Sequence, residues 1–294
     1  MAGQVSRRRR PTDFRWTSFN WMRFRASWLR FTSLTLALLL VPPGASFAAT
    51  PDDGWASLAG AVFKGRPLAD GTGLVGIEMP ARAEDAAIVP VTMRVTLPAG
   101  DSRRLRALTL VIDENPVPVA ATFTFGDGAG VSEISTRVRV DSYTNVHAVA
   151  ELSDGKLYVV KTYVKASGGC SAPAAKNADE ALAGLGQMQL RMFGKPGEGP
   201  ASAPREAQIM IRHPNHSGLQ RDQVTLLYTP ANFVEELRLW QGDVLLLGME
   251  AGISISENPS FRFSYIPNGA ATFKVEARDS AGRVFRREWS ASGM

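Results

Sequence analysis

The first half of the chain alternates polar and apolar residues over short stretches that end at turn signals. The alternation is clear at residues 136–140, and Asp154-Gly155 is typical of a tight turn between two strands. Stretches rich in Val, Ile, Thr and aromatic residues favour β-strands. The predicted strands cover residues 90–97, 104–113, 120–125, 134–140, 146–152 and 157–164. This spacing predicts an antiparallel immunoglobulin-like β-sandwich at residues 55–168.

The second half repeats this pattern. The turn signals here are Gln241-Gly242-Asp243 and residues 279–282. The predicted strands cover residues 207–212, 224–228, 233–241, 244–249, 260–265, 271–278 and 284–289. So many short strands in so few residues predict a second immunoglobulin-like sandwich at residues 205–291. The fold class is therefore all-β, with two β-sandwich domains.

Residues 169–204 connect the two predicted domains through a cysteine loop, a helix and a linker. Asn177 and Glu180 have the spacing of a capping box. Apolar residues then recur at helical spacing, at Ala181, Leu182, Leu185, Met188 and Met192. Three Gly and three Pro at residues 193–205 predict a semi-extended linker. We expect the helix to dock on the sandwich rather than on a partner protein.

The first 48 residues have the features of an export signal. They carry eight Arg and one acidic residue, followed by an apolar stretch at residues 31–41 that is too short to span a membrane. Small residues precede Ala48, which predicts cleavage after that residue and a periplasmic protein without a membrane anchor. Because of the Arg7–Arg10 run, a twin-arginine export signal remains an alternative. Met22 is an alternative translation start.

Composition and charge exclude several classes of protein. With 45% hydrophobic and 21% charged residues, the 294-residue chain is not collagen-like, wholly disordered or a multi-pass membrane protein. The net charge of +5 comes from the export signal, since the remainder has 25 basic and 27 acidic residues. A mature chain with a net charge of −2 gives no reason to expect nucleic-acid binding.

Cys170 is the single cysteine of the chain, so it cannot form an internal disulfide. It lies in a run of small, turn-forming residues, 167–173, without apolar neighbours to bury the sulfur. The pattern favours an accessible, functional thiol over a buried structural one. An accessible thiol also predicts a disulfide-linked homodimer under oxidising conditions.

Both halves carry motifs of one family. The first half resembles SoxY, the thiol subunit of the periplasmic SoxYZ sulfur carrier, and the second half is similar to SoxZ. The SoxY-like motifs are Trp55, Val62-Phe63, Pro67, residues 79–85, Ser135-Thr136-Arg137-Val138-Arg139-Val140, Asp154-Gly155-Lys156-Leu157 and Gly168-Gly169-Cys170. The SoxZ-like motifs are Ile211-Arg212-His213-Pro214, Ser217-Gly218-Leu219, Pro230-Ala231-Asn232-Phe233, Ser256-Glu257-Asn258-Pro259 and residues 279–282. The order of the motifs matches the fused SoxYZ-like carriers associated with quinoprotein dehydrogenases.

The resemblance implies a carrier and not an enzyme. Cys170 would hold a sulfur intermediate covalently, as in thiosulfate oxidation, with Gly168 and Gly169 as half of a flexible arm and no other cofactor. Ser171-Ala172-Pro173 replaces the trailing glycines of the family, which leaves room for a different cargo. The implied partners are periplasmic sulfur-oxidising enzymes, or a quinoprotein dehydrogenase and its cytochrome.

Other readings of the sequence remain open beside the carrier. A thiol enzyme would need a base near Cys170, for which His147 is a candidate. A non-covalent immunoglobulin-like adaptor of a quinoprotein dehydrogenase would not use the thiol. His213 and His216 have a metal-like spacing without a third ligand, so no metal site is expected. Arg137 and Arg139 predict a solvated strand face, or else a positive patch for anionic adducts.

Overall fold

The computed structural model describes residues 53–173, 183–193, 203–222 and 225–291. Within these residues it contains one helix and fifteen strands. The helix is α1 (Asp53–Val62), and the strands of the first half are β1 (Leu68–Asp70), β2 (Val75–Glu78), β3 (Val89–Val95), β4 (Leu105–Ile112), β5 (Val119–Thr124), β6 (Glu133–Val138), β7 (Thr144–Leu152) and β8 (Leu157–Val164). The remaining strands are β9 (Met188–Phe193), β10 (Arg205–Ile211), β11 (Val234–Gln241), β12 (Val244–Ala251), β13 (Ser260–Tyr265), β14 (Thr272–Asp279) and β15 (Val284–Ser290).

The strands form two sheets. The larger has the order β1-β8-β7-β4-β5-β12-β11-β14-β15, and the smaller has the order β2-β3-β6-β13-β10-β9. All neighbours pair antiparallel except β1 and β8. Each half of the chain contributes strands to both sheets and so forms an immunoglobulin-like β-sandwich. The all-β class is confirmed.

The two sandwiches lie side by side and share their sheets. Strand β5 pairs with β12 in one sheet, and β6 pairs with β13 in the other. We call this pair of junctions the seam. Phe123 of β5 packs edge-on against Phe261 of β13, with ring centroids 5.8 Å apart. Apolar residues of both halves belong to one buried core, so burial of apolar surface stabilises the halves together.

The predicted strands of the first half are all present, as are those of the second half apart from residues 224–228. Residues 225–228 form a turn and a single bridge from Tyr228 to Arg221, and Val224 lies outside the described residues. The sequence patterns missed β1, β2 and α1. Helix α1 places Trp55, Leu58 and Val62 on one face, which packs against the outside of the larger sheet.

The helix predicted between the two halves is wrong where the structure describes it. Met188–Phe193 is strand β9, which pairs with β10 with Leu190 opposite Ile209. Residues 174–182, which include the predicted capping box, lie outside the described residues, as do residues 194–202 of the predicted linker. Among the described residues no helix is long and apolar enough to cross a membrane. The predicted export signal also lies outside the described residues.

Gly126, which follows β5, tests how closely the halves pack. A Cβ at this position would lie 2.1 Å from the carbonyl oxygen of Leu245, across the seam. We expect Gly126→Ala to lower the free energy of unfolding by about 1–3 kcal/mol, because backbone atoms have to move apart. Gly76→Ala is the matched control, since its Cβ would meet nothing nearer than 3.9 Å. Urea unfolding measures both, and equal midpoints would contradict tight packing at the seam.

Candidate functional site

The Cys170 loop lies against the chain segment that follows β6. Three backbone amides hold it there. Gly168 N donates to the carbonyl of Asp141 at 2.7 Å, and Gly169 N donates to the carbonyl of Val140 at 3.1 Å. Cys170 N donates to Oδ1 of Asp141 at 3.1 Å. The loop is therefore anchored to the first half at Cys170 and at the two residues that precede it.

The expected accessibility of Cys170 is wrong for this conformation, since the residue has 0% exposure. The glycines explain the difference. A Cβ at Gly169 would lie 2.1 Å from the carbonyl oxygen of Ala86 and 2.6 Å from that of Val140. The missing side chain therefore allows close packing of backbone on backbone, where the sequence suggested a flexible arm.

The second half of the chain closes the loop from the other side. Ser217 Oγ donates a short hydrogen bond to the carbonyl of Cys170, and Gln220 Nε2 donates to the carbonyl of Ala172 at 3.0 Å. His216 Nδ1 lies 3.0 Å from Oε1 of Gln220 and holds that side chain in place. We call Ser217 and Gln220 the latch. Both of these hydrogen bonds go to backbone carbonyls of the loop and not to the sulfur.

Arg139 lies beneath the same loop and is 1% exposed, so its predicted place on a solvated strand face is wrong. Its Nη1 donates to the carbonyl of Gly169 at 3.3 Å, and its Nη2 donates to the carbonyl of Asn215 at 3.4 Å. The guanidinium therefore joins the cysteine loop to the second half. Arg137, two residues earlier, is only half-buried and donates to the carbonyl of Asn258 at 3.0 Å.

Buried amides complete the polar layer around the site. Asn115 donates to the carbonyl of Arg139 at 2.8 Å and to Oγ of Ser254 at 2.9 Å, and its Oδ1 accepts from Asp141 N. Asn215 likewise bonds Ile255 and Val234. The sequence analysis named Ser217 only as part of a SoxZ-like motif and missed Asn115, Asn215 and Gln220, because single polar residues in loops carry no periodic signal.

Burial raises the pKa of the Cys170 thiol to about 12, with a further contribution from the nearby Asp141 carboxylate. The positive charge of Arg139 acts in the opposite direction but does not overcome these effects. The thiolate is the nucleophilic form of cysteine. The closed loop therefore holds the thiol in its neutral, unreactive form.

The histidines singled out by the sequence do not join the cysteine. His147 lies 3.0 Å from Asp113 through Nδ1 and stacks on Trp55, and neither contact belongs to the Cys170 loop. His213 is buried 3.4 Å from Asp279. Burial lowers the pKa of His213, so the ring is neutral at pH 7. Within the described ranges no cluster of three His, Cys, Asp or Glu side chains has the arrangement of a metal site.

A cavity of about 520 Å³ opens beside the cysteine loop. Its walls are Ser171 and Pro173 of the loop and, from the second half, Leu219, Arg221, Asp222, Leu226 and Tyr228. Leu226 and Tyr228 are 60% and 64% exposed, so part of the rim of this cavity is apolar. The cavity shows where a molecule can approach the loop without entering the core.

Comparison with known families identifies both halves. The model of sulfur oxidation protein SoxY matches residues 59–170, so the match ends at Cys170, and that of sulphur oxidation protein SoxZ matches residues 195–290. The chain is a fused member of the SoxY and SoxZ families. The SoxY half thus carries the cysteine, and the SoxZ half carries the latch. Both families are named for sulfur oxidation.

Solved structures give partial matches. The sulfur carrier protein SoxY from Chlorobium limicola f thiosulfatophilum is 25% identical, covering 40% of this chain and 94% of its own, with a TM-score of 0.32. A superoxide reductase (neelaredoxin) from Ignicoccus hospitalis is 14% identical, covering 31% of this chain and 79% of its own, with a TM-score of 0.28. No curated protein matches the sequence.

Proposed function

We propose that this fused SoxYZ protein is a periplasmic carrier that holds a sulfur-containing intermediate covalently on Cys170 and presents it to separate oxidoreductases. The observation that carries the proposal is the position of the one cysteine. It stands at the end of the SoxY match, in a loop that is fastened to both halves through backbone hydrogen bonds. A carrier needs a thiol that can be both sheltered and released.

The hydrogen bonds that hold the loop are weak enough to break and form again while the rest of the protein stays folded. Each contributes about 0.5–1.5 kcal/mol, and local segments open at free energies well below that of global unfolding. Opening would return Cys170 to solvent, where the pKa of a thiol is about 8.5. The exposed thiolate can then attack a sulfur–sulfur bond of the cargo and expel the other sulfur as an anion.

The fusion suits this role. As separate chains the two halves would meet at a rate set by concentration, whereas a short linker provides an effective concentration of about millimolar. The latch of the SoxZ half is then always beside the thiol of the SoxY half. The basic, apolar and small-residue segments before Ala48 support export to the periplasm, where such partners would act.

The test is intact-protein mass spectrometry of the protein purified from its own periplasm without reductant. We expect an added mass that reductant removes and that peptide mapping places on Cys170. Cys170→Ser, which keeps the size of the side chain, should carry no such mass and should abolish sulfur oxidation in cells. An unmodified wild-type thiol under conditions of active sulfur oxidation would overturn the carrier proposal.

A second candidate is a non-covalent adaptor for a quinoprotein dehydrogenase, and the burial of Cys170 favours it. In an adaptor the loop is a structural joint between the halves and the thiol is incidental. The serine variant separates the two proposals, since an adaptor keeps its activity in that variant and a carrier loses it. Turnover of substrate by the purified protein alone would instead indicate an enzyme.

A further inference from the structure

The guanidinium of Arg139 is buried and has no partner of opposite charge among the described residues. Its hydrogen bonds there go to two carbonyl oxygens, and its buried Nε has no hydrogen-bond partner among the same residues. In the part of the chain that the structure describes, no carboxylate lies within ion-pair distance of Arg139. The acidic groups that act on its pKa, Glu257, Cys170 and Asp85, do so through space and without a hydrogen bond to it.

A buried charge without a partner is costly, and proteins seldom keep one without a counter-ion. Burial lowers the pKa of Arg139, which expresses the same cost. The Cys170 loop covers the guanidinium through Gly169. Opening of the loop would remove that carbonyl and free Nη1 in addition to Nε. The position vacated by the loop would then offer two unsatisfied donors and a positive charge.

We propose that Arg139 is a positioning residue that pairs with a negative charge carried on Cys170. The site around the Cys170 loop then favours an adduct that ends in an oxyanion over a neutral adduct. The inference rests on the proposed loading of Cys170. A guanidinium matches the geometry of an oxyanion because its donors lie in one plane. The Asp141 carboxylate opposes a negative charge on Cys170 and Arg139 favours it, so the acceptance of an anion depends on Arg139.

Two reagents load Cys170 with adducts of different charge. With tetrathionate, the thiolate attacks an inner sulfur, a disulfide bond forms to an S-sulfonate group, and thiosulfate leaves. With methyl methanethiosulfonate, the thiolate attacks the sulfenyl sulfur, a methyl disulfide forms, and methanesulfinate leaves. Each step exchanges one sulfur–sulfur bond for another and needs no further oxidant. Intact mass confirms full loading before any comparison.

The measurement is the midpoint temperature of thermal unfolding of each loaded protein. For each variant we subtract the midpoint of the protein with the neutral adduct from the midpoint of the protein with the anionic adduct. In wild type we expect the anionic adduct to be at least as stable as the neutral one. In Arg139→Gln we expect the anionic adduct to lose at least about 3 °C relative to the neutral adduct, and Arg139→Lys should retain most of the wild-type difference. Arg137→Gln, two residues earlier in the chain, is the matched control and should behave as wild type.

If the midpoints of the anionic and neutral adducts differ by the same amount in wild type and in Arg139→Gln, the role of Arg139 is overturned. The carrier proposal stands in that case. If that variant does not fold, wild type and Arg139→Lys decide, and an anionic adduct several degrees less stable than the neutral one in both would contradict the inference. If neither reagent adds mass to Cys170, even over days at pH 9, both the inference and the proposed carrier role are overturned.

Discussion

Gly169→Ala is expected to accelerate the alkylation of Cys170 by iodoacetamide at least about tenfold, while the rest of the protein stays folded. The new Cβ would lie 2.1 Å from the carbonyl oxygen of Ala86. That oxygen also accepts a hydrogen bond from Val140 N, so it cannot move aside alone. The Cys170 loop therefore has to move away from Ala86, and overpacking of this kind costs about 1–3 kcal/mol.

The expected size of the effect follows from the opening equilibrium. If alkylation occurs only in the open loop, its rate scales with the open fraction, and a factor of ten corresponds to about 1.4 kcal/mol. Opening also releases the thiol from an environment in which burial and Asp141 raise its pKa to about 12. Exposure and deprotonation therefore act together, and wild type should react slowly at pH 8 in comparison with a free thiol.

Gly168→Ala, at the neighbouring glycine of the loop, is the control for Gly169→Ala. Gly168 has φ +74°, so alanine is strained there, but its Cβ would meet only Ser171 Oγ at 3.8 Å. This variant should accelerate alkylation less than Gly169→Ala does, because only the strain of a positive φ opposes the closed loop and no backbone atom blocks the new side chain. Equal alkylation rates in Gly169→Ala and wild type, with circular dichroism showing both folded, would rule out steric seating of the loop. Ser217→Ala provides a second way to open the latch without touching the loop.

The strands were predictable because their signal is local. In β6 polar and apolar residues alternate along the chain, and the turn at Asp154-Gly155 fixes where β7 and β8 meet. Strand β9 was missed because apolar residues at 188 and 192 fit a helical spacing. The same segment has Leu190 buried between them, which is the period-two pattern of a strand.

The seam and the seating of Cys170 could not be read from the sequence, because both depend on contacts between distant segments. Ser217 meets Cys170 across 47 positions, and Asn115 meets Ser254 across 139. A run of glycines beside a cysteine looks like a flexible arm when its neighbours are unknown. The carbonyl oxygens of Ala86 and Val140 lie so close to Gly169 that a side chain there would clash with them. Glycine is therefore what allows the loop to pack closely.

Asp279→Asn is expected to lower the free energy of unfolding at pH 7 by about 2–4 kcal/mol. The carboxylate is fully buried and accepts hydrogen bonds from Ala281 N, Arg283 N and Arg283 Nε, with His213 beside it. An asparagine would place an NH₂ group against one of these donors and remove the charge that pairs with Arg283. Asp127→Asn, at a side chain that is 78% exposed, is the control and should change little.

The pH dependence distinguishes lost charge from lost packing. Burial alone would raise the pKa of Asp279, but the hydrogen bonds from Arg283 and His213 and the charge of Arg283 lower it overall. A carboxyl whose folded pKa is depressed contributes stability that is complete above its unfolded pKa, about 3.9, and is lost as the pH falls through the folded value. The gap in urea midpoint between wild type and Asp279→Asn should therefore persist from pH 7 to pH 5 and narrow below about pH 4. A gap that stays constant down to pH 3 would assign the destabilisation to packing instead of charge.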